Sequence, residues 1–532
     1  MINPLDFSWS KKILDPNEVV LRYLLERNAR EAPDEVMVTF EEGENWSHAK
    51  ALRQAYVAAH VLRDAGVNQG SVVGVALPNG AAYLQAWWGA AVLGATIVPI
   101  DIAFRGTMIS HLLRLAQPAV IVAMPAVRQR LNEAEPDSRI KVLDPGELRG
   151  ATDTAPRLEH PIQPWDAICL CMTSGTTGPS KLVRISYSHC MHGGSSTFNL
   201  WGRASSDVYL CDIALTHAAG LYATNSCIAN RNRIAVRSRP QLDCYWEVAR
   251  DAGATFCQIY STMVTYLDSL PLRGTERSHN LRLAVTLPYP PDAERFRRKF
   301  GLEHLLIAYG STEAPAVGSN RPGFDLPKGA AGRLLPGWQL RLADENDIEV
   351  PVGEVGEALV RCDVPWLIAT EYVNNPTATA EAWRNGWFHT GDLLRQDAQG
   401  NLYFVDRAKD CVRRRGKNIS SVEVETVVRL FRGIADCAVV AERSGVDVED
   451  EVKAWVVPDK DAAIDFAELL AFCVERIPHF MVPRYFETIS EFPKSISAKV
   501  QKVVLRERGN SAATWDRVAC NLEVTRHTSS ES

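Results

Sequence analysis

Nine consecutive residues, Thr173, Ser174, Gly175, Thr176, Thr177, Gly178, Pro179, Ser180 and Lys181, bring hydroxyls, glycines and one cation together. Glycine lets backbone N–H groups converge, the hydroxyls add donors and the lysine adds charge, so the segment can wrap an oligophosphate. The apolar run AICLCM from Ala167 precedes it and predicts a strand. A strand opening into a Gly/Thr/Ser-rich loop is a usual phosphate-site arrangement. The Walker A spacing is not met, because Lys181 has Ser180 before it and Leu182 after it. Read alone, the segment also fits a solvent-exposed turn.

TSGTTGPSK resembles the phosphate-binding signature TSGTTGxPKG of acyl-CoA synthetases, adenylation domains and luciferases, with Ser180 where Pro is usual and Leu182 where Gly is usual. Five further motifs follow in that superfamily's order. THAAG places His217 where the family has an acyl-pocket histidine. Taken singly, the same imidazole also suits a satisfied core histidine. YGSTE supplies Tyr309, Gly310, Ser311, Thr312 and Glu313, which the resemblance assigns to adenine stacking, the α-phosphate and magnesium. FHTGDL puts Asp392 at the ribose hydroxyls. FVDRAKDCVRRRGKNISSVEVE resembles the hinge block, with Arg407 as a second ribose contact, Lys409 as the pivot and Gly416 beside the path of a pantetheine arm. PKSISAKVQK resembles PxxxxGK and places Lys499 at the catalytic lysine.

The resemblance implies an ATP-dependent carboxylic acid:CoA ligase with ATP, Mg²⁺ and coenzyme A as its small molecules. A carboxylate is a poor electrophile, and joining it to AMP supplies a leaving group that a thiol can displace. Charge develops on the α-phosphate oxygens as pyrophosphate departs, so fixed cations and donors are needed around them. Lys499, Thr312 and the 173–181 loop are the candidates, with Glu313 as a hard oxygen ligand for the metal. In the pocket near adenine, where most of the superfamily has a GGA-like block, this chain has Thr286, Leu287, Pro288 and Tyr289. That block, with EYVNNPTATA and GKNISSVEVE, is similar to the crotonobetaine/carnitine CoA ligase branch. The resemblance leaves open a carrier protein or partner enzyme as the acyl acceptor, and a catalytically silent homologue. The arginine run 413–415 fits a solvated face or a contact to CoA phosphates.

These residues need a scaffold, and 532 residues exceed what one hydrophobic core supports. Runs such as VVGVAL, TIVPI and AVIVAM alternate with helical patterns, which predicts α/β layers around largely buried sheets. Short strands and acidic turns from about Ala343 predict a smaller, mostly β unit. Beyond it, EVETVVRLF and FAELLAFCVERI read as amphipathic helices in a compact βα pattern. The expected division is a large α/β domain over 1–406, a small mobile α+β domain over 407–510 and a loose polar tail over 511–532.

The net charge of -6 gives no reason to expect a nucleic-acid partner, which needs a concentrated basic surface. The stretch from Ala86 to Ile100 is too short to span a bilayer, which takes about twenty apolar residues, and reads as a buried helix followed by a buried strand. The start of the sequence carries no apolar h-region and the twelve cysteines form no CxxC pair, so a cytoplasmic setting is expected. The expected partner is a small-molecule carboxylic acid; oligomeric state is not legible.

Overall fold

Strands that are apolar at every position must be covered on both faces. VVGVA, TIVP and VIVA form the strands Val72–Ala76, Thr96–Pro99 and Val120–Ala123 of a six-stranded sheet. Its order is Lys141–Leu143, Val120–Ala123, Val72–Ala76, Thr96–Pro99, Ala167–Met172 and Leu182–Ser186. The first five run parallel, and the last pairs antiparallel with Ala167–Met172. The Ala81–Val92 helix connects two of the parallel strands with Trp87 and Trp88 fully buried, as a sequence apolar at every position but Gln85 requires. Among the described residues no helix is long and apolar enough to cross a membrane. The computed structural model describes residues 14–135, 139–173, 180–287, 292–321, 326–414, 417–443, 450–460, 462–494, 499–522 and 524.

A second sheet of thirteen strands has a parallel centre in the order His304–Tyr309, Leu283–Leu287, Phe256–Tyr260, Val208–Cys211 and Arg233–Val236. Beyond His304–Tyr309 it continues antiparallel through Gly318–Ser319, Gly332–Leu334, Asn401–Arg407, Phe388–Gln396, Val355–Cys362 and Trp338–Ala343. The β-rich stretch after Ala343 is therefore an extension of this sheet and not a sheet of its own. Two very short strands, Gly318–Ser319 and Gly332–Leu334, carry the hydrogen bonding across.

The two large sheets share one core, in which Val73 and Cys169 of the first join Tyr209 and Leu306 of the second. The helices Tyr187–Phe198 and Ala218–Asn230 contribute Cys190, Leu221 and Tyr222 to it. They touch backbone to backbone at Gly194, where a Cβ would fall 1.9 Å from the Tyr222 carbonyl oxygen. Only glycine fits there.

After Arg407 the chain leaves the large sheet and enters a two-stranded ribbon, Val412–Arg414 with Lys417–Ile419. A four-stranded sheet follows, Ile434–Arg443, Asp450–Pro458, Tyr485–Thr488 and Trp515–Asp516. The two amphipathic patterns form the helices Ser421–Val428 and Phe466–Val474, which bury Val424, Leu469 and Phe486 in a separate core. Contrary to the expectation of a loose tail, residues 511–522 are docked, because Trp515–Asp516 adds an edge strand to this sheet. The Trp515 ring packs 5.7 Å from Phe486 and 6.0 Å from Phe466, and Asp516 pairs with Arg484 at 3.1 Å. The aromatic ring, the edge-strand pairing and the ion pair dock the segment together.

Candidate active site

Parallel strands present their C-terminal ends to loops, and ligands of open α/β sheets gather there. His304–Tyr309 ends in a tight turn. A Cβ on Gly310 would lie 2.6 Å from the Ala316 nitrogen and 2.7 Å from the Ala314 carbonyl oxygen, so the turn depends on glycine. Ser311 closes it, its Oγ accepting from the N–H groups of Glu313 at 3.3 Å and Ala314 at 3.2 Å. Thr312 and Glu313 thus stand at the tip of a rigid loop. Tyr222 braces that loop from below, donating its hydroxyl to the Thr312 carbonyl at 3.2 Å and meeting His189 Nε2 at 2.8 Å. Burial lowers His189 to about 3 and its neighbour His192 to about 4, so both imidazoles are neutral; Trp338 Nε1 donates to His192 Nε2 at 3.1 Å.

Asp392 and Arg407 are cross-strand partners on the antiparallel strands Phe388–Gln396 and Asn401–Arg407. Arg407 Nε lies 2.7 Å from Asp392 Oδ1, and the Tyr309 hydroxyl donates to Oδ2 at 3.1 Å. The guanidinium approaches Oδ1 off the hydrogen-bonding direction, so among the described residues that buried oxygen has no well-aligned donor. It can accept from a ligand hydroxyl. Burial pushes the carboxyl above its ordinary value, against the opposing fields of Arg407, the Tyr309 bond and Lys499.

Lys499 reaches this place from the C-terminal unit. Surrounding protein lowers its pKa and the Arg407 charge lowers it further, while Asp392 acts the other way. By surface area the side chain is still exposed at the rim. Its field also reaches His217, the N-terminal capping residue of the Ala218–Asn230 helix. Burial lowers the His217 pKa; Asp101 opposes that shift and Lys499 adds to it. Lys499 therefore lies within electrostatic reach of Arg407, Asp392 and His217.

On the opposite side, Thr173 and Lys181 close the base of the phosphate-loop candidate. The Thr173 N–H donates to the Lys181 carbonyl at 2.9 Å, and the Lys181 N–H to Thr173 Oγ1 at 3.4 Å. Ser174, Gly175, Thr176, Thr177 and Gly178 lie outside the described residues, as do Pro288, Tyr289 and Gly416. Thr286 is buried on Leu283–Leu287, paired with Ile259 and Ile307 of the flanking strands, and Leu287 ends that strand. Lys409 follows the last strand of the large sheet. Its carbonyl accepts from Arg506 Nη1 at 2.5 Å, and Arg506 also pairs with Asp410 at 3.1 Å. Burial brings Lys409 down to about 8, helped by Arg407 and Arg506 and opposed by Asp410.

Four residues that sequence reading did not assign take part in this arrangement: Tyr372, Tyr222, His189 and Arg506. Tyr372 is the most telling. Its hydroxyl donates to Glu313 Oε1 at 2.8 Å, and the Lys181 ammonium lies 4.6 Å from the centre of its ring. It belongs to the EYVNNP motif, so the signal was present in the sequence without a role attached.

Together these groups bring a hydroxyl, a carboxylate facing a lysine-bearing loop, a carboxylate–arginine pair and a lysine from the second unit to one region. Residues 25–368 match the family model described as AMP-binding enzyme, and residues 423–499 match the AMP-binding enzyme C-terminal domain. The crotonobetaine/carnitine–CoA ligase of Salmonella typhimurium is 27% identical over 493 residues, which span 87% of this chain and 93% of that protein. ATP-bound MatB from Rhodopseudomonas palustris superposes with a TM-score of 0.83 at 25% identity, covering 92% of this chain and 98% of MatB. The o-succinylbenzoate CoA synthetase of Bacillus subtilis with its acyl-adenylate gives 0.82 at 22% identity over 92% and 99%, a likeness of fold. With the AMP-binding model matched across more than half its length, the chain belongs to the AMP-binding enzymes, as an acid–thiol ligase of the AMP-forming, acyl-CoA synthetase kind.

Proposed function

We propose that the chain joins a small carboxylic acid to AMP at this site and then transfers the acyl group to the thiol of coenzyme A. The observation that carries the reading is the position of Lys499: although it belongs to the C-terminal unit, it senses Asp392, Arg407 and His217 of the large one. The arrangement is also nearer to ATP-bound MatB, at a TM-score of 0.83, than to apo MatB, at 0.71. That difference favours an adenylation-competent placement of the C-terminal unit.

In this reading the substrate carboxylate oxygen attacks the α-phosphorus, an O–P bond forms, and pyrophosphate leaves with the electrons of the bond that breaks. The Lys499 ammonium and the Thr312 hydroxyl face the charge that develops on the α-phosphate oxygens. Asp392 Oδ1 accepts from a ribose hydroxyl, Arg407 supports the same sugar, and Tyr309 gives the adenine a flat face. Lys181 and Thr173 with the 174–178 segment hold the outgoing phosphates. His217, Thr286, Leu287 and Pro288 border the acyl group. In the second step the thiol sulfur attacks the acyl carbon, its proton passes to solvent, and AMP leaves. Residues 407–510 turn about Lys409 to withdraw Lys499, and Gly416 admits the pantetheine arm.

Mg²⁺ fits the donors present. Among the described residues no group of three His, Cys, Asp or Glu side chains is poised to hold a metal alone. A single carboxylate, Glu313, matches the habit of Mg²⁺ to bind through one or two carboxylates plus substrate phosphates. When bound with the nucleotide, the ion neutralises phosphate charge.

Incubating the chain with ATP, Mg²⁺, CoA and a panel of carboxylic acids tests the proposal. Acid-dependent pyrophosphate and AMP release with an acyl-CoA product is expected. Accumulation of acyl-AMP with transfer only to a phosphopantetheinyl protein would overturn the CoA step. Equal adenylation by wild type and Lys499→Ala would overturn the role given to that lysine.

A further inference from the structure

Lys181 and Glu313 carry opposite charges at the two sides of the phosphate region, yet they form no ion pair with each other. Tyr372 touches both. The lysine ammonium rests over its ring, 4.6 Å from the centre, and its hydroxyl donates to Glu313 Oε1 at 2.8 Å. We propose that Tyr372 is a positioning residue that keeps the phosphate-loop lysine and the metal carboxylate apart, so that each stays open to an incoming ligand of opposite charge. The inference rests on the reading of Glu313 as the metal carboxylate.

Three features support it. First, Tyr372 is fixed. It is buried, bridges to Val183 of the Leu182–Ser186 strand, and packs edge-on against Trp383 at 5.4 Å. The Val373 N–H donates to the Leu182 carbonyl, and the Ala369 N–H to the Glu313 carbonyl, both at 2.8 Å. The 369–373 segment therefore ties the exit of the phosphate-loop candidate to the Glu313 turn. Second, the hydroxyl is held as a donor by its geometry, on a buried ring 2.8 Å from Glu313 Oε1. Its proton satisfies one carboxylate oxygen, and Oε2 is left for a cation. Third, a lysine over an aromatic face is held only weakly. A phosphate can draw it off more readily than it could break a lysine–glutamate pair in the same half-buried setting.

The test uses the full chain and calorimetric binding of ATP, without acid, at zero and saturating Mg²⁺. Wild-type affinity should rise with Mg²⁺, and Glu313→Gln should lose that rise. Tyr372→Phe keeps the ring and removes the hydroxyl. Its metal-dependent gain should shrink roughly tenfold, the size expected for a hydrogen bond to a charged group, while metal-free ATP binding holds. Tyr372→Leu also removes the spacer, so Lys181 and Glu313 collapse together: ATP should weaken roughly tenfold without Mg²⁺ and by more than that with it, the metal-dependent gain shrinking at least as far as in Tyr372→Phe. Adding Lys181→Gln to Tyr372→Leu should then restore the metal-dependent gain towards the Tyr372→Phe level, since no cation is left to mask Glu313. If Glu313→Gln keeps the full Mg²⁺ gain, the metal reading fails and the inference falls with it. If Glu313→Gln loses the gain while both Tyr372 variants retain it, the inference alone is overturned. It is overturned equally if the Tyr372 variants lose only thermal stability.

Discussion

Replacing Asp392 by asparagine removes the charge at the centre of the site while keeping the side chain's size. The buried carboxyl meets Arg407 at 2.7 Å and Tyr309 at 3.1 Å, and its pKa is nevertheless raised, so its partners do not fully offset the cost of burial. Between its unfolded value and that raised folded value the native state binds more protons, so stability falls as pH climbs through the window. Asparagine lacks that loss. Arg407 is left without its partner, but the arginine side chain is 36% exposed and water can take over. The unfolding free energy near neutral pH should therefore change by only about 1 kcal/mol. Function should change far more. A neutral amide is a poorer acceptor for a sugar hydroxyl, and hydrogen bonds to charged groups contribute about 1.5–3 kcal/mol, so ATP should bind roughly tenfold to a hundredfold more weakly. Asp392 also raises the pKa of Lys499. Without it, the ammonium is lost at lower pH, and the alkaline limb of the adenylation rate should move down. Denaturant unfolding, ATP titration and pyrophosphate release across an alkaline pH series measure the three quantities. An alkaline limb that stays in place or moves up would refute the claim that Lys499 works within the field of Asp392.

Arg506→Ala should raise the pKa of Lys409 from about 8, because one of the charges that depress it is gone. The pH at which an amine-directed reagent labels Lys409 should move up, with burial retaining part of the shift. Gly194→Ala would drive a methyl group into the Tyr222 carbonyl and should cost about 3 kcal/mol in denaturant unfolding. Trp515→Ala should destabilise the C-terminal unit by about 2 kcal/mol while leaving unfolding of the large unit in place, as read by separate transitions.

What could be read in advance follows the range of the interactions. Strands such as Thr96–Pro99 and the Ala81–Val92 helix were legible because burial on all sides leaves an unbroken apolar run. Tyr309, Glu313, Asp392 and Arg407 could be singled out because their spacing resembles motifs, although only folding makes Asp392 and Arg407 cross-strand neighbours. Tyr372 was not assigned because its bond to Glu313 spans 59 residues of sequence. His189 and Tyr222 hid in a Gly- and Ser-rich helix pair whose packing rests on backbone contact at Gly194 and leaves little periodic signal. Trp515 was passed over because its neighbours are polar and its partner rings lie well upstream in the sequence. The β-rich stretch could be read from its short strands and acidic turns, but its continuity with the parallel sheet could not, because hydrogen bonding through two very short strands has no compositional trace.

The neutral histidines beneath the Thr312 turn also set an acid limit for the protein. In the unfolded chain each would take up a proton near its ordinary value of about 6.5, whereas the fold withholds protonation until about 3 for His189 and about 4 for His192. As pH drops from about 6.5 towards those values, each residue takes away about 1.4 kcal/mol of stability per pH unit. Two such groups side by side under the Thr312 turn make mildly acidic buffers hazardous for storage, and the loop carrying Thr312 and Glu313 should be among the first parts of the chain to loosen.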